Sequence, residues 1–547
     1  MTRNQTEGKI LMNRRGFVLK AGLFAAGSAF GSSLVGCGSG ELYIPCLGPA
    51  AEPAPVPGMT YIRASQIGCA LDCNLENGRN KYSGGAATDD APRINAAMAA
   101  ASASNPITLI LDGSALISGL YMPAGGYWSI AGLGCGTGFF IKSGSNSDGI
   151  HNGGPNAANP SDPGPPAPPR GANVSLSNFT LNGNQGNGRN GDSSTGTRQG
   201  NVANDWYFGI NLMNLDNISI QNVVVVNTPA YHVRLSNVGH VTISGCVLRS
   251  SGENTDGLHF DGPANDIAIS NCSFTTGDDA IALNCPEGYT GNISRVTVTN
   301  CTFNSLTLMR LYTVSPDWGP MFYIDDVKVT NCSGTVSNCA FLIGTCRYSN
   351  PNSVNGLIIS DCSLTTPVVL DLAANWGTIV LTKVSHVPLN INQAPGFAFV
   401  RTSPVFAGMT YLGSSLSINN CTITNSEDFP VAALILENGS TINNLEFNGF
   451  AVQDASGTSF STAPQLLNIM SGSIGQLALS SLNSAHIAVP VSAGGFSSIG
   501  SISGSGVLAT GWEFPDSVMA NNVPYISAST HQPSIKIDGV VESYTGA

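Results

Sequence analysis

Three aspartates stand in two similar stretches of the chain, Asn-Thr-Asp-Gly at 254–257 and Gly-Asp-Asp at 277–279. In both stretches the acids precede alternating apolar residues, which predicts a turn that leads into a strand. Only 34 of the 547 residues are acidic, so this repeated placement is unusual. Clustered carboxylates are the groups that cleave glycosidic bonds, because they supply an acid and a base. Asp256, Asp278 and Asp279 are therefore candidate catalytic residues, provided that the fold brings them together.

A repeated pattern of strand, turn and cysteine predicts the fold. Two apolar residues at i and i+2 are followed by Asn, Gly or Asp and then by a cysteine, and five such cysteines are 26, 29, 31 and 30 residues apart. This period predicts an all-β, single-stranded right-handed parallel β-helix, whose coils stack ~4.8 Å apart. The repeated cysteines are Cys246, Cys272, Cys301, Cys332, Cys362 and Cys421.

Stacked coils would place these six cysteines in one buried column, where each acts as a small apolar side chain. Free thiols are therefore favoured over a disulfide framework, and the spacing is not that of zinc ligands. Cys69 and Cys73 are better candidates for a disulfide.

Composition divides the chain into five segments. A short amphipathic helix at 88–103 is predicted to cover the open end of the β-helix, since that end would otherwise expose strand edges. The segments are a signal peptide at 1–37, a Pro-rich tether at 38–60, an N-terminal cap at 61–106, the β-helix at 107–500, and the last coils with a C-terminal cap at 501–547.

The first segment predicts export. Arg14 and Arg15 resemble a twin-arginine signal, and Leu-Val-Gly-Cys at 34–37 resembles a lipobox in which Cys37 is lipidated. Cleavage by an ordinary signal peptidase is the alternative. The expected location is periplasmic, anchored at the outer membrane, or extracellular, with membrane contact only through the lipid.

Charge excludes one class of partner. The net charge is −12, only 10% of residues are charged, and no block of Lys or Arg follows residue 20. Nucleic acid is therefore not an expected partner. A monomer that acts on a polysaccharide is expected.

The two acid stretches resemble the polygalacturonase family, family 28 of the glycoside hydrolases, within the pectin-lyase-like superfamily. The resemblance implies that Asp278 is the general acid, and that Asp256 and Asp279 hold and deprotonate the attacking water. It also implies inversion, with acid and base about 6.5–9.5 Å apart, and a polysaccharide substrate, expected to be acidic. Mutual repulsion should raise the pKa of at least one of the three acids.

Other motifs of that family are missing. Its Gly-His-Gly corresponds to 305–313, which contains no His, and its Arg-Ile-Lys corresponds to 338–345, which contains no cation. The second acid of the family's first motif is replaced by His259. The sequence therefore retains the catalytic aspartates of the family but lacks the residues with which the family recognises galacturonate.

Aligning the strands core to core predicts an outward row of Arg234, His259, Ala282 and Arg310, which would bind an anionic substrate. The other predicted substrate-binding residues are Asp261 and Asn284, which also point outward, and Tyr312 and Trp318, whose rings would stack on a sugar. Gly257 and Gly277 are expected to let the backbone bend beside the acids.

Two alternatives stay open. A lyase or epimerase acting on a uronic-acid polymer would use Ca²⁺ held by the aspartates, with Arg310 as the base. A non-catalytic β-helix that binds glycans at the cell surface would use neither. The hydrolase itself is expected to need no metal or cofactor.

Overall fold

The structure is a computed structural model of the full chain. It describes residues 48–543 except for positions 135, 146, 153–169, 187–207, 288, 314–321, 345–352, 390–396, 403–409, 426–430, 455–463, 483–490, 494–496, 504–512, 515, 517, 518, 520–523, 528, 530–532, 538 and 539. The signal peptide, Cys37 and Trp318 lie outside the described residues.

Parallel strands from successive coils pair in register from Thr60 to Ser503 and form three faces, which confirms the predicted right-handed parallel β-helix. Five long strands bend at a corner and contribute to two faces each: Ile210–Gln221, Val233–Ser244, Leu258–Ser270, Thr302–Tyr312 and Ser333–Ile343.

Face A carries the candidate acids. It contains the first parts of Ile210–Gln221, Val233–Ser244 and Leu258–Ser270, and the second parts of Thr302–Tyr312 and Ser333–Ile343. Its other strands are Leu120–Tyr121, Ile150–His151, Asp279–Asn284, Val368–Leu372, Phe397–Thr402, Val431–Leu436, Gln465–Ile469 and Val491–Ala493.

Face B contains the strands of the cysteine repeat and the second parts of the first three bent strands. Its other strands are Thr60–Arg63, Ile107–Leu111, Gly126–Gly132, Gly171–Ser177, Ile293–Thr299, Ile324–Thr330, Val354–Ser360, Trp376–Thr382, Leu412–Asn419, Ser440–Asn448, Gly472–Ser480 and Ser497–Ser503.

Face C is built of shorter strands and of the first parts of the last two bent strands. Its other strands are Ser114–Ile117, Gly138–Ile141, Thr180–Asn182, Val224–Val226, Val247–Arg249, Ser273–Thr275, Ser363–Thr366, Ser385–Pro388, Thr422–Asn425 and Ala451–Asp454.

The backbone conformation just before each repeated cysteine explains why the pattern has Asn, Gly or Asp at that position. Asn271 and Asn300 have φ of 55°, and Asn331 has φ of 54°, which is the left-handed region that these residue types tolerate. The turn from face B to face C requires this conformation. Their amides also stack: Asn331 Nδ2 donates to Asn300 Oδ1 at 2.7 Å.

The six repeated cysteines are buried in the core and carry free thiols, as predicted. The thiol of Cys301 lies between those of Cys272 and Cys332, and the column is continuous from Cys246 to Cys362. Val384 occupies the position between Cys362 and Cys421. Cys69 and Cys73 are also buried and free, and Cys73 Sγ donates to the carbonyl of Asn74. These two better candidates for a disulfide are therefore not bonded to each other in this structure.

The predicted N-terminal helix is shorter than 88–103 and spans Ala91–Met98. Asp90 precedes its first turn, but its carboxylate does not cap the helix. It accepts hydrogen bonds from the backbone N–H groups of Ala70 and Leu71 instead. Ile94 and Met98 are fully buried against the first coils, so this helix covers the apolar interior at that end.

Past Ser503 the described residues form a separate four-stranded sheet rather than further coils. Its strands are Glu513–Phe514, Pro524–Ser527, Pro533–Ile537 and Val540–Ser543. Among the helices of the described ranges, none has the length and apolar character that crossing a membrane requires.

Candidate active site

The three aspartates meet because they enter face A from neighbouring coils. Leu258 pairs with Ile281 in the parallel register, so the turns that contain Asp256 and the Asp278–Asp279 pair lie one above the other. Asp279 opens its strand and pairs with Thr307 of the next coil. One carboxylate oxygen from each aspartate lies within 4.8 Å of the others.

The three acids differ in their access to solvent. Asp256 and Asp279 are each 4% exposed, whereas Asp278 is half-buried. The carbonyl oxygen of Asp256 accepts hydrogen bonds from the backbone N–H and from Nδ1 of His232, at 2.9 and 2.7 Å. These bonds fix the backbone of Asp256. Asp278 is the acid whose side chain is accessible to solvent.

The spacing of the acids in the structure is known between single carboxylate oxygens. Their nearest oxygens lie within 4.8 Å, whereas a gap of about 6.5–9.5 Å between carboxyl groups was expected for inversion. A gap between nearest oxygens is shorter than one between carboxyl groups, so it does not decide the stereochemistry. Inversion stays a prediction.

The electrostatics of the cluster separate its members. Burial and the neighbouring Asp256 raise the pKa of Asp278 to about 7, against a weaker opposing effect of Arg310. Burial, Asp278 and Asp256 also raise the pKa of Asp279 well above its ordinary value. The predicted mutual repulsion is therefore present, and the half-buried Asp278 holds a proton near neutral pH.

The two glycines beside the acids serve close approach rather than a bend. Neither Gly257 nor Gly277 has a φ in the left-handed region. A Cβ at Gly257 would lie 2.5 Å from the carbonyl oxygen of Ala280, and one at Gly277 would lie 2.3 Å from that of Gly252. A side chain at either position would force adjacent coils apart.

The predicted outward row has the predicted register. Arg234 pairs with His259, His259 with Ala282, and Ala282 with Arg310. Asp261 pairs with Asn284, and Asn284 with Tyr312, in a second row two residues along.

Most of these side chains are not available to a substrate, which corrects the prediction. Arg234, His259, Asp261 and Asn284 are each at most 4% exposed, and they bond to one another. Arg234 Nε donates to Asp261 Oδ2 at 2.6 Å, and this charge pair lowers the pKa of Asp261 although burial alone would raise it. Side chains that point away from the core can still be buried under other residues, as His259 is under the ring of Tyr231.

Arg310 and Tyr312 remain accessible beside the acids. The Arg310 side chain is 22% exposed, and its Nη1 lies 3.8 Å from Asp279 Oδ2. Its guanidinium stacks over the ring of Tyr312, with 4.9 Å between Cζ and the ring centroid. These two residues are therefore the described candidates for substrate contact.

Sequence reasoning missed two residues of this region. The ring of Tyr231 stacks on the His259 imidazole with centroids 3.9 Å apart. Glu287 Oε2 lies 3.2 Å from His259 Nε2. Glu287 lies in the turn after Asp279–Asn284, where the repeat pattern gives no register, so no signal in the sequence placed it beside His259.

The described coils have the fold of a right-handed parallel β-helix with a carboxylate cluster on one face, which is the pectin-lyase-like fold. Residues 169–305 match the family described as Glycosyl hydrolases family 28. The matched segment contains all three acids, so the predicted resemblance to this family is confirmed for that part of the chain.

Individual relatives are distant. A probable polygalacturonase of Arabidopsis thaliana is 24% identical over 168 residues, which are 30% of this chain. The chain matches about a third (35%) of the length of that curated relative. The family 28 exopolygalacturonase of Yersinia enterocolitica is 12% identical, with a TM-score of 0.50 and 77% of each chain covered. The exopolygalacturonase of Thermotoga maritima is 13% identical, with a TM-score of 0.46, covering 69% of this chain and 94% of its own. The Yersinia structure shows the shared fold.

Proposed function

We propose that the chain is an exported glycoside hydrolase that cleaves a polysaccharide by acid/base catalysis with Asp256, Asp278 and Asp279. The observation that carries this proposal is the half-buried Asp278, whose pKa is raised to about 7 within 4.8 Å of two further carboxyls. An acid that holds its proton near neutral pH and faces solvent is suited to protonating a leaving oxygen.

The other two acids are suited to the water. Asp256 is held by His232 through its backbone and accepts a hydrogen bond from Nδ1 of His259 at 2.6 Å. Asp279 is held beside Thr307 and Arg310. Two fixed carboxyls next to the acid would orient a water molecule. Because the pKa of Asp279 is raised as well, Asp256 is the carboxylate that would take the proton of this water. With Asp278 on the leaving group, the reaction would proceed with inversion.

Arg310 supports an acidic substrate. It is a partly exposed guanidinium on the same face as the acids, and its Nε has no hydrogen-bond partner among the described residues. A guanidinium that is stacked on Tyr312 and open to solvent would bind a carboxylate of a uronic-acid polymer. No metal or cofactor is required in this scheme.

The test uses purified plant, algal and bacterial polysaccharides with the wild type, Asp278→Asn and the exposed-acid control Asp361→Asn. Hydrolysis releases new reducing ends without the absorbance of unsaturated uronates, and we expect it from the wild type and Asp361→Asn but not from Asp278→Asn. The anomeric form of the first product, measured by NMR, tests inversion. Absorbance that EDTA abolishes would instead reveal a calcium-dependent lyase. Affinity for a glycan without any cleavage would reveal a binding protein.

A further inference from the structure

Beside the catalytic cluster lies a second, fully buried group of metal-ligating side chains. His259 Nε2 is 3.2 Å from Asp261 Oδ1 and 3.2 Å from Glu287 Oε2. All three residues are buried, and one ligand atom of each lies within 4.8 Å of the others. Ligands on adjacent corners of a coordination sphere with bonds of ~2.1 Å are about 3 Å apart, so these distances fit a common ion.

The side-chain amide of Asn284 lies at the same position and has one unpartnered atom among the described residues, its oxygen. Asn284 is 1% exposed, its side chain lies over Asp261, and its Nδ2 is 3.3 Å from His259 Nε2. Its Oδ1 is buried without a hydrogen-bond partner among the described residues. Rotating the amide by 180° exchanges the two atoms and turns the oxygen toward His259 Nε2, where it would serve as a fourth ligand.

The hydrogen bonding of His259 identifies its free lone pair. Nδ1 lies 2.6 Å from Asp256 Oδ2, and a carboxylate oxygen accepts, so Nδ1 carries a hydrogen. In the neutral ring Nε2 then presents a lone pair beside two carboxylate oxygens and the amide of Asn284, and a cation among these atoms would be attracted by all of them. An imidazole that donates one N–H to a carboxylate and turns the other nitrogen inward is the usual arrangement of a metal-binding histidine.

Charge counting favours a divalent ion. Asp256, Asp261 and Glu287 supply three negative charges around His259, and Arg234, bonded to Asp261, supplies one positive charge. Without an ion, the three carboxylates and the one guanidinium sum to a net charge of −2. A divalent ion with a neutral His259 gives zero net charge, which burial favours.

We propose that His259, Asp261, Glu287 and Asn284 bind one divalent transition-metal ion, separate from the catalytic acids. A nitrogen ligand with carboxylates suits Zn²⁺, Mn²⁺ or Co²⁺ better than Ca²⁺ or Mg²⁺. The rings of Tyr231 and Phe208 stack above His259 and form the apolar surroundings that exclude water from such a site. If the proposed function holds, the ion also fixes the His259 tautomer that donates to Asp256.

The experiment measures metal content and affinity on the full chain. Mass spectrometry of the protein purified without chelators gives the metal per chain, and titration of the stripped protein with Co²⁺, followed by visible absorption, gives the stoichiometry. We expect one ion per chain and a rise in melting temperature on binding. Glu287→Gln, which removes one ligand charge at nearly constant shape, should weaken binding about a hundredfold or more.

Asp278→Asn is the matched control, because it removes a carboxyl from the catalytic cluster and leaves the proposed ligands intact. It should abolish hydrolysis while it binds Co²⁺ like the wild type, so the two proposals can fail separately. Unchanged Co²⁺ affinity in a folded Glu287→Gln, or loss of affinity in Asp278→Asn, would refute this site. Absence of uptake of Co²⁺, Zn²⁺ and Mn²⁺ by the wild type would refute it as well.

Discussion

Replacing Asp278 by Asn should make the protein more stable at neutral pH. The pKa of Asp278 is raised from 3.8 to about 7 in the folded chain, by burial first and by Asp256 next. The folded protein therefore holds a proton at this carboxyl that the unfolded chain releases. The contribution to stability is fully present below pH ~4 and is lost as the pH rises to about 7.

The magnitude follows from the shift. One pKa unit corresponds to ~1.36 kcal/mol, so the two units between pH 5 and the folded pKa correspond to ~2.7 kcal/mol. Asp278 is half-buried, and screening by water reduces this to ~1–3 kcal/mol. Asn is neutral at every pH and keeps the acceptor that the N–H of Asn254 uses. The variant should therefore gain ~1–3 kcal/mol relative to the wild type when the pH is raised from 5 to 8.

The assay is urea denaturation of both proteins at pH 5, 6, 7 and 8, followed by the fluorescence of the buried Trp128 and Trp376. Asp361→Asn is the control, since its exposed carboxyl lies 3.8 Å from Lys383 and its φ of 52° suits Asn. We expect a flat stability difference for the control across this range. A flat or falling difference for Asp278→Asn would refute the raised pKa and, with it, the acid role assigned to this carboxyl.

Three further outcomes are expected. Arg310→Ala should raise KM on an acidic polymer, and an unchanged KM would contradict the binding role of Arg310. Because Arg310 lowers the pKa of Asp278, this variant should also move the alkaline limb of the pH–rate profile to higher pH, whereas Arg310→Lys should leave that limb in place. Asn300→Ala should lose ~1–2 kcal/mol of unfolding free energy through its φ of 55°, and Asn300→Gly should lose less, which urea denaturation measures. The column thiols such as Cys301 should react with a thiol reagent only after unfolding, and a melting temperature that falls on reduction would reveal a disulfide instead.

The fold and the register of face A could be predicted because the repeat is anchored by chemistry. A buried cysteine after a left-handed Asn fixes the position of each coil, as at Asn271–Cys272 and Asn300–Cys301. From that anchor the pairing of His259 with Ala282 and of Ala282 with Arg310 follows by counting.

The burial of the row could not be predicted. Alternation along a strand predicts which side chains point away from the core, but it does not predict which other residues cover those side chains. Tyr231 reaches over His259 from the turn before Val233–Ser244, and Glu287 approaches from the turn after Asp279–Asn284. Neither turn obeys the repeat, so neither contact can be obtained by counting.

The outward-facing row of face A that contains Arg310 limits the kind of acidic polymer that the chain would bind. A polysaccharide lying along the helix axis advances roughly one sugar unit per coil of ~4.8 Å. The coils after Arg310 present Leu342 and then Asp371, in register. Asp371 is 3% exposed and bonded to Arg401 at 2.6 Å, so that pair is already neutralised.

A polymer with a carboxylate on every sugar would therefore place one negative charge against the apolar side chain of Leu342 and another against the ion pair of Asp371 with Arg401, which has no charge left to neutralise it. If the proposed acidic substrate holds, we expect a higher kcat/KM on a partly methyl-esterified uronic-acid polymer than on the same polymer without esters, measured as reducing ends released at equal concentrations of sugar units. Leu342→Lys supplies a cation one coil from Arg310 and should shift the preference toward the charged polymer. A wild type that prefers the fully charged polymer would show that residues outside this row recognise the carboxylates.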